Sequence, residues 1–440
     1  MLNAVVRAFK TPDLRRKILF TLGVMALFRV GSFVPTPGIS YANVQQCLNL
    51  TQGGSDLLGL VNMLSGGALL QLSVFALGIM PYITASIIVQ LLTVVIPHFE
   101  TLKKEGQSGQ AKMTQYTRYL TIGLAVLQST TYIAMARSGN LFPGCGVPII
   151  PNDTVLTVLI MILTMTAGTG LIMWMGELIT ERGIGNGMSL LIFTSIAAGF
   201  PVSFGRIAQD EQLGWGVLAV VIGVGLVILA AVVFVEQCQR RVPVQYAKKM
   251  IGRRSYGGSS TYIPIKVNQA GVIPIIFASS MLYLPGLVAQ FNSPPAGSTE
   301  LPPDWVQWIN NNMVQGDHPL YMAIYFALII FFTYFYVSIT FDPVEVADNI
   351  KRVGGFIPGI RAGRPTAEYL GYVLSRITAP GALYLGVVSM IPLVAISLVN
   401  ADQSFPFGGT SLLIVVGVGL ETVKQLQSQL QQRHYEGFLR

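Results

Sequence analysis

The chain has 440 residues, 52% of them hydrophobic and only 11% charged, with a mean hydropathy of +0.58. Soluble proteins carry about 25% charged residues, so a string of two or three water-soluble domains is excluded. The net charge of +8 is gathered in short loops, where it reads as a topology signal.

Ten apolar runs follow one another near 18–34, 72–96, 116–136, 154–175, 187–200, 215–236, 268–290, 319–340, 369–398 and 411–423. Each is close to the ~20 residues that a helix needs to cross a bilayer. Continuous apolarity predicts membrane helices over the alternating strands of a barrel. Ahead of the first run, Arg15-Arg16-Lys17 looks like the start of a signal peptide. No small-residue cleavage site follows, and the run is expected to remain as an anchor. Arg29 lies within it, near one end, where snorkelling or a structural ion pair is expected.

After Pro35-Thr36-Pro37-Gly38 comes Leu57–Leu70, amphiphilic, too short to span, and centred on Ser65-Gly66-Gly67. A cavity-filling helix and an ordinary interfacial helix both fit it. Gln90 and Asn268, at the ends of runs two and seven, are amides that bridge helices or pack between them.

Loops on one side carry Lys103, Lys104, Lys112, Arg182, Lys351 and Arg352, whereas the opposite loops hold only Arg137 and Arg206 as cations. The positive-inside rule then places both termini in the cytoplasm. Two cation-rich loops are long. Residues 237–267 contain seven basic residues and no acid: Arg240, Arg241, Lys248, Lys249, Arg253, Arg254 and Lys266, interleaved with Tyr246, Tyr256 and Tyr262. Residues 342–368 carry the ordered turn sequence Gly354-Gly355-Phe356-Ile357-Pro358-Gly359-Ile360-Arg361. Such loops suit RNA phosphates, acidic protein surfaces or lipid headgroups, with plain topology as the alternative. The tail after Thr422 is polar and expected to fray. Cys47 and Cys145 fall in outer loops and could pair, although thiols so far apart in sequence are more often free, and Cys238 lies on the reducing side.

Catalytic signatures are missing. No phosphate-binding Gly-x-x-x-x-Gly-Lys-Ser/Thr is present, so the chain is not expected to hydrolyse nucleotide. His98, His318 and His434 sit at span edges or in the tail, and no His/Cys/acid set has metal-ligand spacing. Glu177, Glu236 and Glu421 lie at span ends, and Gly-x-Ser-x-Gly is absent. Neither an enzyme nor a metal or cofactor site is expected. A secondary transporter for a small molecule is the alternative, disfavoured by the lack of a polar mid-membrane cluster.

Two phrases recur in the two halves. Gly78-Ile79-Met80-Pro81-Tyr82-Ile83-Thr84-Ala85-Ser86 matches Gly271-Val272-Ile273-Pro274-Ile275-Ile276-Phe277-Ala278-Ser279, and Gly187-Met188-Ser189-Leu190-Leu191-Ile192 matches Gly409-Thr410-Ser411-Leu412-Leu413-Ile414. Interrupted spans at equivalent places in two halves point to a central pathway. The apolar candidates to line it are Ile79, Ile83, Met188, Ile192, Ile276 and Ile414, although such side chains also face lipid or neighbouring helices. Gathered at a waist, they would block ions by dewetting yet part for a larger passenger.

Several stretches together resemble the SecY/Sec61-alpha family. They are Phe28-Arg29-Val30-Gly31 with Pro35-Thr36-Pro37-Gly38, Asn62-Met63-Leu64-Ser65-Gly66-Gly67-Ala68-Leu69, and Ala76-Leu77-Gly78-Ile79-Met80-Pro81-Tyr82-Ile83. Further along are Ile179-Thr180-Glu181-Arg182-Gly183-Ile184-Gly185-Asn186-Gly187, Lys266-Val267-Asn268-Gln269-Ala270-Gly271-Val272-Ile273-Pro274 and Phe356-Ile357-Pro358-Gly359-Ile360-Arg361. The likeness runs the full length in order and is closest to bacterial members.

It implies an all-α polytopic membrane protein with ten transmembrane helices in two pseudo-symmetric inverted halves, 1–200 and 201–440, around a central pore. The implied function is a protein-conducting channel of the bacterial cytoplasmic membrane that passes unfolded secretory polypeptides and releases apolar segments sideways into lipid. The six aliphatic positions above become the pore ring, with Met188 standing where isoleucine is usual. A short plug helix spans about 57–70, including Asn62, Leu64, Ser65, Gly66 and Gly67. Gln90 and Asn268 fall at a lateral gate. Arg240, Arg241, Lys248, Lys249, Arg253, Arg254 and Arg361 become contacts for the SecA motor ATPase or a ribosome. SecE and SecG are implied as companion subunits, and a preprotein with its signal sequence as passenger.

Overall fold

The computed structural model describes residues 9–50, 65–139, 141–142, 145, 147–209, 214–246, 249–251, 254–256, 260–292, 294, 302–314, 318–399 and 409–436. In the first half lie α1 (Pro12–Gly31), α2 (Tyr41–Leu50), α3 (Met80–Val95), α4 (Pro97–Lys104), α5 (Gln107–Arg137), α6 (Val155–Arg182) and α7 (Gly187–Gln209). The second half begins with α8 (Gly214–Gln237) and the strands β1 (Gln239–Tyr246), β2 (Lys249–Ile251), β3 (Arg254–Tyr256) and β4 (Ser260–Lys266). It continues with α9 (Ile273–Phe291), α10 (Asp304–Ile309), α11 (Pro319–Thr340), α12 (Pro343–Arg352), β5 (Gly355–Phe356), α13 (Arg364–Val399) and α14 (Gly409–Glu436).

Each apolar run therefore has its helix. Among the described residues four segments, Gln107–Arg137, Val155–Arg182, Pro319–Arg352 and Arg364–Ile391, are long and apolar enough to cross a membrane, and α3 with α4 makes a fifth if read as one broken span. In α1 the cations Arg15, Arg16, Lys17 and Arg29 interrupt the apolar stretch.

Local chemistry explains where the runs and helices part company. Run two is apolar from residue 72, yet residues 65–79 form successive turns and α3 starts only at Met80. Gly78 has φ of 56°, which its lack of a Cβ permits, and Pro81 suits the first turn of the helix that follows. At the other end, Ile96 and Pro97 break the path, and α4 leaves α3 at 99°. The tail corrects its expectation too: α14 continues to Glu436 because Leu426 and Leu430, four apart, pack with Leu14, Ile18 and Ile184.

The all-α expectation needs one amendment. The basic loop is built on β1 and β4, paired antiparallel from Gln239↔Lys266 to Gln245↔Ser260, and β5 adds to the far edge of β1 through Tyr246↔Gly355 and Gln245↔Phe356. A separate ribbon pairs β2 with β3.

The buried side chains form large clusters. One is drawn mostly from α1, the 65–79 turns, α5, α6 and α7, but also includes Ile276, Ile414 and Val418. A second holds Val232, Ile275, Phe277, Tyr325, Ile329, Phe332 and Leu385, with Ile87 entering from α3. Helices α3, α5, α6 and α7 pack in sequence, as do α9, α11, α13 and α14. The two series meet along two seams: α7 against α8 and α14, and α9 against α3 and α5.

Candidate functional site

The recurring phrases take up recurring structure. Gly78 and Gly271 both have positive φ (56° and 63°) two residues ahead of a helix start, and each helix has proline as its second residue. Gly187 and Gly409 are themselves the first residues of α7 and α14. Four equivalent helix starts thus converge on one place.

Ile79, Met188, Ile192, Ile276 and Ile414 all lie in the first cluster, and Ile83 is partly buried against it. The exposures of the five buried ones run from 1% for Ile414 to 8% for Met188. All six are brought together from four chain segments, with no charged side chain among them.

Two details hold Met188 there. The Asn186 carboxamide oxygen accepts from the Met188 backbone N–H at 3.1 Å, capping α7. The Met188 thioether lies over Gly176 of α6, where a Cβ would stand only 2.5 Å from Sδ. The longer side chain has a slot in the neighbouring helix. Sequence reasoning missed Gly176, because the slot exists only when α6 and α7 are side by side.

Of the implied plug, Asn62 and Leu64 lie outside the described residues. Ser65, Gly66 and Gly67 are described, and they form turns, not the expected helix. Ser65 is buried and its hydroxyl accepts from the Leu69 N–H at 3.2 Å. Gly66 meets α7 closely: a Cβ on it would come within 3.2 Å of the Ser195 Cα, one turn beyond Ile192. Leu69 and Leu72 join the same cluster as the six aliphatic residues. Among the described residues Arg29 makes no ion pair with an acid. Its guanidinium donates to the Gly66 carbonyl and lies 4.7 Å over the Phe33 ring. The exit from this segment is fastened by Thr36 N–H to Leu72 O (3.1 Å) and Val74 N–H to Val34 O (2.9 Å).

The two amides face different partners. Gln90 donates to Ser86 Oγ at 3.5 Å, whereas Asn268, 3% exposed, donates to Glu236 Oε1 and to Gly271 O at 3.1 Å. No hydrogen bond joins the two amides among those described. Contact between α3 and α9 is instead apolar, through Ile87 in the second cluster. Farther toward the cation-rich side, Lys103 of α4 donates to the Ile339 carbonyl in the last turn of α11 at 3.0 Å.

On the sheet, Arg240 and Arg241 are exposed on β1. The Arg241 guanidinium lies 4.8 Å over the Tyr262 ring, which stands diagonally across on β4. Lys249 and Arg254 sit on the β2–β3 ribbon, while Lys248 and Arg253 lie outside the described residues. Arg361 is exposed just beyond β5, and its carbonyl accepts from Thr366 Oγ1 at 2.8 Å. Pairing of β5 with β1 places the two basic loops on one platform. Its inner face, Val242, Val244 and Ile265, packs on Val337, Ile357, Leu370, Val373 and Leu374.

Cys47 and Cys145 are joined in a disulfide, and Cys238 is free. Arg137, one of the two cations in the cation-poor loops, is neutralised by Asp153 at 2.7 Å.

A SecY family profile matches residues 73–423. The chain belongs to the SecY family. The SecY of Streptomyces scabiei, a protein translocase subunit, is 64% identical, with 100% of each chain covered. Among solved structures, a SecY whose plug domain stabilises the closed state of the translocation channel superposes with a TM-score of 0.63. That match has 17% identity and covers 94% of this chain and 91% of the other. Sec61 of the canine ribosome–channel complex superposes with a TM-score of 0.58 at 17% identity, over 94% and 91% of the two chains. At such identities the superpositions show the fold alone. With SecY membership established, the function is protein translocation through a channel, not catalysis, and the small-molecule carrier is set aside.

Proposed function

We propose that this chain is the central subunit of a bacterial translocase, with ten spans arranged as halves 1–200 and 201–440 and both termini in the cytoplasm. Ile79, Ile83, Met188, Ile192, Ile276 and Ile414 form its gasket. In the idle state the apolar ring and the 65–72 turns exclude water, so ions meet a dewetted constriction. An entering polypeptide displaces the turns and is gripped by side chains that offer no hydrogen bonds, so sequence is not read. A sufficiently apolar segment leaves sideways between α3 and α9, where the contact through Ile87 is replaceable by lipid or by a signal sequence at little cost.

Energy comes from outside the chain. SecA or a ribosome docks on the sheet and on Arg361, with Arg240, Arg241, Lys248, Lys249, Arg253 and Arg254 supplying charge, and SecE and SecG complete the complex. The clustering of six aliphatic side chains from both halves carries this reading.

A photocrosslinker at Ile83 or Ile276, with a secretory precursor stalled in the membrane, tests it. Adducts with the precursor are expected at both positions. Failure of either to label a verified translocating chain removes the ring assignment.

A further inference from the structure

The bond between Cys47 and Cys145 closes 98 residues of sequence and does not stand alone. The Ser40 N–H donates to the Ile149 carbonyl at 3.1 Å, and the Asn43 amide to the Pro148 carbonyl at 2.8 Å. Asn43 and Cys47 are one turn apart, so one face of α2 is laid along the segment between α5 and α6 by noncovalent and covalent links alike. Cys47 is fully buried in the cluster that holds the six aliphatic residues, and Cys145 packs at its edge.

The position of the staple gives it meaning. α2 is the described element leading toward the 65–72 turns, and the Val34–Thr36 ladder is what fastens the exit from them. The exit from the turns is thus held by backbone hydrogen bonds, and the described helix that precedes them in the chain by a disulfide. The third cysteine, Cys238, is free at the end of α8, beside Arg240 and Arg241. Bonded and free sulfur therefore divide between the cation-poor and cation-rich sides, as an oxidising exterior and a reducing cytoplasm require.

We propose that Cys47 and Cys145 are oxidised on the outer face after insertion, and that the disulfide holds the root of the seal so that the idle channel stays tight. This rests on the topology proposed above. The oxidant is a protein or small-molecule disulfide. Its exchange with the two thiols transfers two electrons and two protons, and the oxidant's own disulfide bond breaks to give two thiols.

Mass-tagging with a maleimide after denaturation counts free thiols in the full-length protein taken from its membrane. With three cysteines in the chain, one tag is expected before reduction and three after. Three tags without reduction overturn the bond. A membrane-impermeant phosphine added outside intact cells is expected to open it. Opening only when the phosphine reaches the cytoplasmic face overturns outer-face oxidation and the topology beneath it, while leaving the tag count as it was. Reduction of the intact complex in proteoliposomes is expected to raise idle ion leak several-fold. The C47S/C145S double variant should show the higher leak with or without phosphine. A leak unmoved by reduction of the wild-type complex overturns the sealing role, whether or not the variant assembles.

Discussion

Met188 illustrates how a single side chain is accommodated across a helix pair. Methionine bends where isoleucine cannot, and its thioether uses the space left by a missing Cβ at Gly176. Gly187 belongs to the same contact: a Cβ there would stand 1.9 Å from the Gly176 carbonyl oxygen, so α6 and α7 touch through backbone. Gly176→Ala should swing the flexible Met188 tip out of its slot at a cost of about 1 kcal/mol. Idle ion conductance is expected to rise as a result. The effect should vanish in a Met188→Ala background, where nothing occupies the slot. Equal effects in both backgrounds would show that the two positions are uncoupled. The six aliphatic residues of the shared cluster stood out in the chain because two repeated phrases flagged them. Gly176 was silent, since the groove that needs it is made by a neighbouring helix.

Among elements, hydropathy located every long helix but not its ends. Residues 72–79 are as apolar as α3 itself, and only backbone geometry at Gly78 and the Pro81 start separates turns from helix. Charge hid the sheet in a similar way. The arginines and lysines of 237–267 drew attention to partners, while the alternation of Val242, Val244 and Tyr246 against Ile263 and Ile265 carried the strand signal. Sequence offered Cys47 and Cys145 as a possible pair but could not decide it, because only the fold brings the two Cα atoms to 5.5 Å. Lys103 gives this scale its prediction. Its ammonium caps the negative end of α11 and links α4 to the opposite side of the α3–α9 seam. Such an exposed contact is worth about 0.5 kcal/mol. Lys103→Ala should therefore shift the closed-to-open ratio of the seam about two- to threefold. Spin labels at the exposed positions Val94 and Tyr334 would report it as a broader distance distribution. An unchanged distribution would leave Lys103 as a surface contact only.

For the molecule as a whole, two series of packed helices share a small apolar meeting place and a polar platform at one end. Reversing Arg361 to Glu should slow motor-driven export severalfold while the protein still inserts, as read by precursor protection from protease. Val244→Asp attacks the same platform from beneath. It places a charge in the packed interior, at a cost of about 3 kcal/mol or more, and should lower the amount of folded protein in the membrane as well as export. A variant that loses export only for Val244→Asp and keeps it for Arg361→Glu would move the docking surface away from this loop.

The sheet has a mechanical consequence. Every side chain in its supporting cluster comes from residues 242–377, so a partner seated on it holds α11 and α13 and has no hold, through that cluster, on α5 or α6. Thrust applied there must be reacted at the two seams, where α7 meets α8 and α14 and where α9 meets α3 and α5. If a motor docks there as proposed, the push that feeds a polypeptide inward is also a lever prising those helices apart, with no separate grip needed to open the passage it drives.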